Sequence, residues 1–341
     1  MLLGERPQRR RSRRPYGGDM TRRLVGAVIS GFVIALGALA PASAETYPTR
    51  AVTFVVPFPA GGRTDLAARL ITQFLEHHLG APMVVVNKAG AGGVLGAKEV
   101  SRARPDGYTL GFFSTGVLTA QYTVPTPTDL KDYELVAIVN VDPAAIAVGQ
   151  QAPWKNIREL LDFARANPGK LRIGAQLGAS AQVFAAAFEQ AAGIKGTYVP
   201  FKGDADAAVA VAGGHIDMHV GVPVAYKSLM EAGKLRILGV AAEQRSPLYR
   251  DIPTWKEQGV DVVITSFHGI FAPRGTPPDV LKTLEVAIQK TMAEKELRDK
   301  MEASGLGVVY LAGKEANAYV AHQDVIYRKL IQDLGMMAPK Q

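Results

Sequence analysis

The chain has 341 residues, no cysteine and a formal net charge of +8. Without cysteine it can hold no disulfide framework, thiolate metal site, cysteine nucleophile or lipid-anchored cysteine. Eight Arg and two acids precede Glu45, so +6 of the charge lies there and only about +2 remains for the rest, which argues against nucleic acid as a partner.

In chain order, residues 1–44 read as a signal peptide with an upstream extension, not as part of the fold. Arg22 and Arg23 form a charged n-region, residues 24–40 an apolar stretch broken by Gly and Ser, and Ala42-Ser43-Ala44 a small-x-small cleavage pattern. Six Arg lie before Met20, which makes Met20 the expected start. The apolar stretch is marginal beside the ~20 residues of a spanning helix. Cleavage after Ala44 and a periplasmic location are therefore expected, with Glu45 as the first mature residue.

From there, short apolar runs alternate with amphipathic runs of helical length, which indicates βα units on parallel sheets. The run 52–56 predicts a buried strand. After residues 57–63 a helix follows in which Leu66, Leu70, Ile71, Phe74 and Leu75 share one face, closed by Gly80 and Pro82. Residues 83–86 predict the next strand, Gly90-Ala91-Gly92-Gly93 a turn into a helix near Val94, and 108–113 a third strand. Near residues 150–154 the chain is expected to cross to a second lobe, with strands at 171–175, 197–199, 216–220 and 235–240 separated by crossover helices. A return strand over 262–271 leads to Pro273-Arg274-Gly275-Thr276-Pro277-Pro278 and a wholly helical end. The expected division is 45–149 with 266–341 as lobe one and 150–265 as lobe two.

The chemistry lies in strand-to-helix turns whose backbone amides face an anion. In Pro57-Phe58-Pro59-Ala60-Gly61-Gly62-Arg63-Thr64-Asp65 the glycines allow close approach, Thr64 is placed to cap the helix, the first-turn amides and dipole favour a carboxylate, and Arg63 adds charge. As an ordinary βα turn, the same segment would use Asp65 only to complement the dipole. The turn 174–182 repeats this logic in lobe two, with Ser180 as the expected N-cap. Gly90 to Gly96 has the wrong glycine spacing for a dinucleotide loop. The six His form no His-Glu-x-x-His, and there is no Gly-x-Ser-x-Gly. His77 and His78 read as a solvated pair, His215 and His219 share one strand face as packing or surface residues, and His268 falls in the return crossover.

The motifs together resemble the substrate-binding proteins of tripartite tricarboxylate transporters, the Bug family. They include Tyr47-Pro48, Val56-Pro57-Phe58 leading to Gly61-Gly62-Arg63-Thr64-Asp65, Asn87-Lys88-Ala89-Gly90, Pro105-Asp106-Gly107-Tyr108-Thr109-Leu110, Val199-Pro200-Phe201-Lys202-Gly203, Ile252-Pro253-Thr254 and Ala272-Pro273-Arg274-Gly275-Thr276-Pro277. The resemblance implies an α/β, type II periplasmic-binding-protein fold, two lobes joined by crossover strands around a ligand cleft. It also implies no catalysis, no cofactor and no metal. The expected ligand contacts are Phe58, Ala60, Gly61, Gly62, Thr64 and Asp65 in lobe one and Gly178, Ala179 and Ser180 in lobe two, with Arg63, Ser114 and His268 counted beside them. Arg63 stands where a small residue or proline is commoner in the family, and Ala181-Gln182 where a hydroxyl and a His are frequent. The implied function is binding a small carboxylate for the membrane subunits of a tripartite tricarboxylate transporter, by a monomer. The alternatives are a sensing partner of a membrane kinase and, on a similar scaffold, an enzyme.

Overall fold

Val52–Val56 (β1), an unbroken β-branched and aromatic run, lies inside a six-stranded sheet of order β11-β4-β10-β3-β1-β2. The structure is a computed structural model that describes residues 46–125, 128–176 and 178–339; the signal-peptide assignment lies outside the described residues. Met83–Asn87 (β2) and Thr109–Ser114 (β3) flank β1 in parallel. Arg63–Leu79 (α1), Val94–Ser101 (α2) and Thr115–Thr123 (α3) follow these three strands in turn. Every turn from strand to helix therefore opens on the carboxyl edge of the sheet. The face of α1 formed by Ala67, Ala68, Ile71, Phe74, Leu75 and Leu79 packs into the core, while Leu66, expected on that face, is 39% exposed.

Tyr133–Pro143 (β4) runs antiparallel to Thr265–Pro273 (β10). After the single residue Ala144 the chain continues as Ala145–Gly149 (β5), already in the second sheet, of order β7-β6-β8-β5-β9. The change of sheet thus falls at Ala144, not near Gln150. The Pro-marked segment after β5 instead leads to Ile157–Ala166 (α4), with the carbonyls of Gln150, Ala152 and Trp154 held by the Arg236 guanidinium. The second sheet is completed by Arg172–Ala175 (β6), Thr197–Pro200 (β7), Met218–Gly221 (β8) and Leu235–Val240 (β9). Its crossover helices are Ser180–Ala192 (α5) and Asp204–Ala212 (α6), with the short Lys227–Glu231 (α7) before β9. Strands β6, β7 and β8 are parallel neighbours, so the turns into α5 and α6 share the carboxyl edge of this sheet.

The two connections between lobes touch each other, since Ala144 N–H donates to the Ile264 carbonyl at 2.9 Å. Pro278–Ala293 (α8) and Lys295–Ala303 (α9) return to cover α1, placing Leu284, Ile288, Leu297 and Met301 in the same apolar cluster. His78 of α1 meets Glu294 at 2.6 Å. The short Leu311–Ala312 (β11) precedes Gly313–Asp333 (α10). Helix α10 bridges the lobes, with Tyr327 buried against Phe184 of α5 and its hydroxyl donating to the Thr265 carbonyl at 2.6 Å. Residues from Tyr47 onward form one compact unit. Among the described residues no helix is long and apolar enough to cross a membrane.

Candidate ligand-binding site

The turn from β1 into α1 is built around Asp65. Gly61 sits at φ +79, where no neighbouring atom crowds a side chain but an L-residue is strained. This bend directs the Gly61 N–H to Asp65 Oδ2 at 2.9 Å. Arg69 Nε donates to the same oxygen at 3.0 Å, and Asn87 Nδ2 bridges Asp65 Oδ1 at 3.0 Å and the Phe58 carbonyl at 3.1 Å. Asp65 is 3% exposed. Burial pushes its carboxyl up, but the hydrogen bonds from Arg69, Gly61 and Asn87 outweigh it and hold the pKa below the usual value. Both carboxylate oxygens are thus committed to shaping the turn. The N-cap is Gly62, in extended conformation, not Thr64. The N–H groups of Arg63, Thr64 and Asp65 have no protein acceptor among the described residues, as the first turn of a helix leaves them.

Arg63 and Thr64 close a hydrogen-bonded ring on the crossover strands. Arg63 Nη1 donates to Asp142 Oδ2 at 2.9 Å and Nη2 to Ser266 Oγ at 2.7 Å; Asp142 and Ser266 face each other in the β4–β10 register. Asn140 Nδ2 donates to Asp142 Oδ2 at 3.1 Å, and its Oδ1 meets His268 Nδ1 at 2.7 Å. His268 Nε2 lies 3.0 Å from Thr64 Oγ1. Because Asn140 offers only an acceptor to the ring, His268 carries its proton on Nδ1, and Nε2 accepts from the Thr64 hydroxyl. Burial first, and the Arg63 charge second, hold the His268 pKa well below its usual value, so the ring is neutral. Burial pushes the Asp142 carboxyl up, while Arg63, the Gly307 N–H and Asn140 pull against it.

The lobe-two turn repeats the lobe-one geometry with different chemistry. Gly178 sits at φ +78, and its N–H donates to Gln182 Oε1 at 2.7 Å, the same four-residue spacing by which Asp65 holds Gly61. Ala179, not Ser180, occupies the N-cap position, with no side-chain cap. Ser180 is the first helical residue, half-buried, and its hydroxyl has no protein partner among the described residues. The N–H groups of Ser180 and Ala181 are likewise unpaired there. The Gly178 carbonyl accepts from Thr123 Oγ1 of lobe one at 3.0 Å, a bond between the lobes.

Ser114 is buried and caps α3, accepting from the Gly116 N–H at 3.2 Å. The Phe58 ring lies against Gly116 and Gly93, where side chains would collide with it. Of the expected contacts, then, Ala60, Gly61 and Gly62 are exposed and Ser180 is half-buried. Arg63, Thr64, Asp65, Ser114 and His268 instead have their side chains bonded within the protein.

Asp204, Asn140, Asp142 and Ser266 were not among the expected residues. The last three were legible only as polar interruptions of apolar strands. Asp204 opens α6 behind Gly203, the same strand-turn-helix pattern as the other two turns. His215 and His219 do not share a strand face: His219 lies within β8, fully buried, whereas residue 215 precedes it and Asp217 pairs with Arg172 at 2.7 Å. A separate open hollow of about 840 Å³ is lined among others by Tyr122, Glu134, Arg274, Asp324 and Arg328, and includes none of the turn residues.

The profile of the tripartite tricarboxylate transporter family receptor matches residues 67–336. The chain belongs to this family. A protein encoded in the gbd 5′ region of Cupriavidus necator is 32% identical over 301 residues, covering 87% of this chain and 91% of the relative. Among solved structures, the periplasmic binding protein BugD is 29% identical with a TM-score of 0.76, covering 86% of this chain and all of that one. An R. palustris protein determined with adipate is 30% identical with a TM-score of 0.79, covering 86% and 99%. Another from Rhodopseudomonas palustris, MatC with bound malate, is 28% identical with a TM-score of 0.72, covering 84% and 99%. The expected periplasmic-binding-protein fold is the one observed, and the chain is a solute-binding protein of the receptor family.

Proposed function

We propose that this receptor captures a small carboxylate between its two turns and delivers it to the membrane subunits of a tripartite tricarboxylate-type transporter. The observation that carries this is the pair of glycine bends at Gly61 and Gly178, each followed by first-turn amides without a protein acceptor, one on each lobe. A helix start with free N–H groups and a positive dipole end favours an anion. Two of them on opposing lobes suit a ligand whose capture draws the lobes together. The relatives holding adipate and malate support a carboxylate, and family membership supports the transporter partnership. Ala60, Gly61 and Gly62 let the ligand approach the backbone, the Ser180 hydroxyl adds a donor, and Phe58 walls the site. Export follows from the leader pattern, with the mature chain beginning at Glu45.

A thermal-shift screen of the mature protein against mono-, di- and tricarboxylates tests this. Ligand at about 100 times its dissociation constant stabilises by about 2.7 kcal/mol, well within detection. Stabilisation by at least one carboxylate and not by its amide is the expected result; no stabilisation by any of them contradicts the proposal.

A further inference from the structure

Gly305, at φ +81, follows α9, and the atoms around it belong to the other lobe. A Cβ placed on it would lie 2.9 Å from the Tyr249 hydroxyl, 3.2 Å from Lys227 Cδ and 3.4 Å from Val224 Cα. Its carbonyl accepts from the Tyr249 hydroxyl at 3.3 Å. Strand β5 is antiparallel to both β8 and β9, so those two run in one direction. Val224 and Lys227 follow β8, and Tyr249 follows β9. All three lie in segments that leave the carboxyl edge of the second sheet, as the Gly178 turn does.

On its own side Gly305 has little freedom to yield. Leu306, next to it, is wholly buried in the apolar cluster that α1, α8 and α9 share. The Gly307 N–H donates to Asp142 Oδ1 at 2.7 Å, and the Gly307 carbonyl accepts from Asn140 Nδ2 at 2.5 Å. A Cβ at Gly307 would meet the Val141 carbonyl oxygen at 2.4 Å, so the segment is pressed directly onto β4. The other oxygen of the same carboxylate, Asp142 Oδ2, accepts from Arg63. One side chain on the crossover strand thus holds both the turn of α1 and the segment that meets lobe two. A loop that merely linked α9 to β11 would need neither the buried anchor nor three lobe-two residues around a missing side chain.

We infer that Gly305 is a seat for lobe two, a positioning residue whose missing side chain sets how far the lobes close on a solute. This rests on the capture of a solute between the lobes proposed above, and it adds what limits the motion. A side chain at Gly305 is expected to push Tyr249 and Val224 outward and hold the lobes apart. The chain has no cysteine, so spin labels on Lys170→Cys and Lys290→Cys, both exposed positions, report the distance between lobes. The measurement uses the mature protein, free and with adipate or malate added. Gly305→Asn is expected to move the distances to longer values. Gly80→Asn carries the same left-handed backbone cost at φ +77, with nothing within 4 Å of its Cβ, and is expected to leave them unchanged. A closed population smaller by about ten-fold raises the apparent dissociation constant by the same factor. Where adipate or malate binds, Gly305→Asn is therefore expected to weaken it about ten-fold and Gly80→Asn by less than about two-fold. Tyr249→Trp fills the seat from the lobe-two side without straining the backbone at Gly305. It is expected to act as Gly305→Asn does, which keeps the inference testable should Gly305→Asn fail to fold. Unchanged distances in either folded variant, or an equal shift in Gly80→Asn, overturn the seat. Lengthened distances in a protein that binds no carboxylate leave the seat standing and overturn the carboxylate assignment.

Discussion

Thr64 and His268, 204 residues apart in the chain, meet at 3.0 Å between Oγ1 and Nε2. The contact ties the first turn of α1, where a ligand would rest, to the crossover strand β10. Thr64→Val keeps the shape but removes the donor, leaving a buried imidazole nitrogen unpaired at a cost of about 1–3 kcal/mol. Thr64→Ser retains the hydroxyl and is expected to stay near wild type in urea unfolding. An unchanged Thr64→Val beside a destabilised Thr64→Ser would assign the effect to the Thr64 methyl group, not to the bond.

Arg63 is the second tie between the same turn and the crossovers. With side-chain exposure of 17% and 4%, Arg63 and Asp142 form a largely buried pair. Removing one partner of such a pair costs about 3–5 kcal/mol because the other is left charged in the interior. Arg63→Met is therefore expected to destabilise strongly, and Arg63→Met with Asp142→Asn to recover much of the loss. A ligand-facing Arg63 predicts the opposite pattern: weaker binding, little change in stability and no recovery.

Asp65 and Asp142 pull the acid limb of stability in opposite directions. The Asp65 pKa is held below its usual value of 3.8, so its contribution is fully present above 3.8 and is lost as pH falls through the lower folded value. The raised Asp142 pKa works the other way, since its ionisation on raising pH opposes folding. The difference between wild type and Asp65→Asn isolates the first term. It is expected to shrink as pH is lowered from 5 to 2, and a difference independent of pH in that window would contradict the assigned hydrogen bonds.

The βα alternation, the carboxyl-edge turns and the return strand were legible because apolar period and glycine position report local conformation directly. Side-chain direction was not. Thr64, Ser114 and Ser180 each stand near a helix start, and only Ser114 caps one: the cap positions at the other two starts fall on Gly62 and Ala179. Arg63 looked like ligand chemistry because its partners, Asp142 and Ser266, lie far off in sequence. The sheet change at Ala144 was equally hidden, since that single residue is all that separates β4 from β5.

The Thr123 hydroxyl of lobe one reaches the Gly178 carbonyl of lobe two at 3.0 Å. Thr123→Val removes this bond and is expected to enlarge the ligand-free radius of gyration in small-angle scattering, with weaker binding. An unchanged radius and affinity would show that the bond does not bias closure.

The central claim is that backbone amides at the two turns hold the carboxylate. Amide resonances of the mature, isotope-labelled protein, followed during titration with adipate and with malate, test it directly. The account predicts that, for a ligand that binds, the N–H signals of Arg63, Thr64, Asp65, Ser180 and Ala181 move downfield together and saturate at the calorimetric affinity. Saturable binding that leaves these five amides unmoved, while signals elsewhere shift, would contradict it.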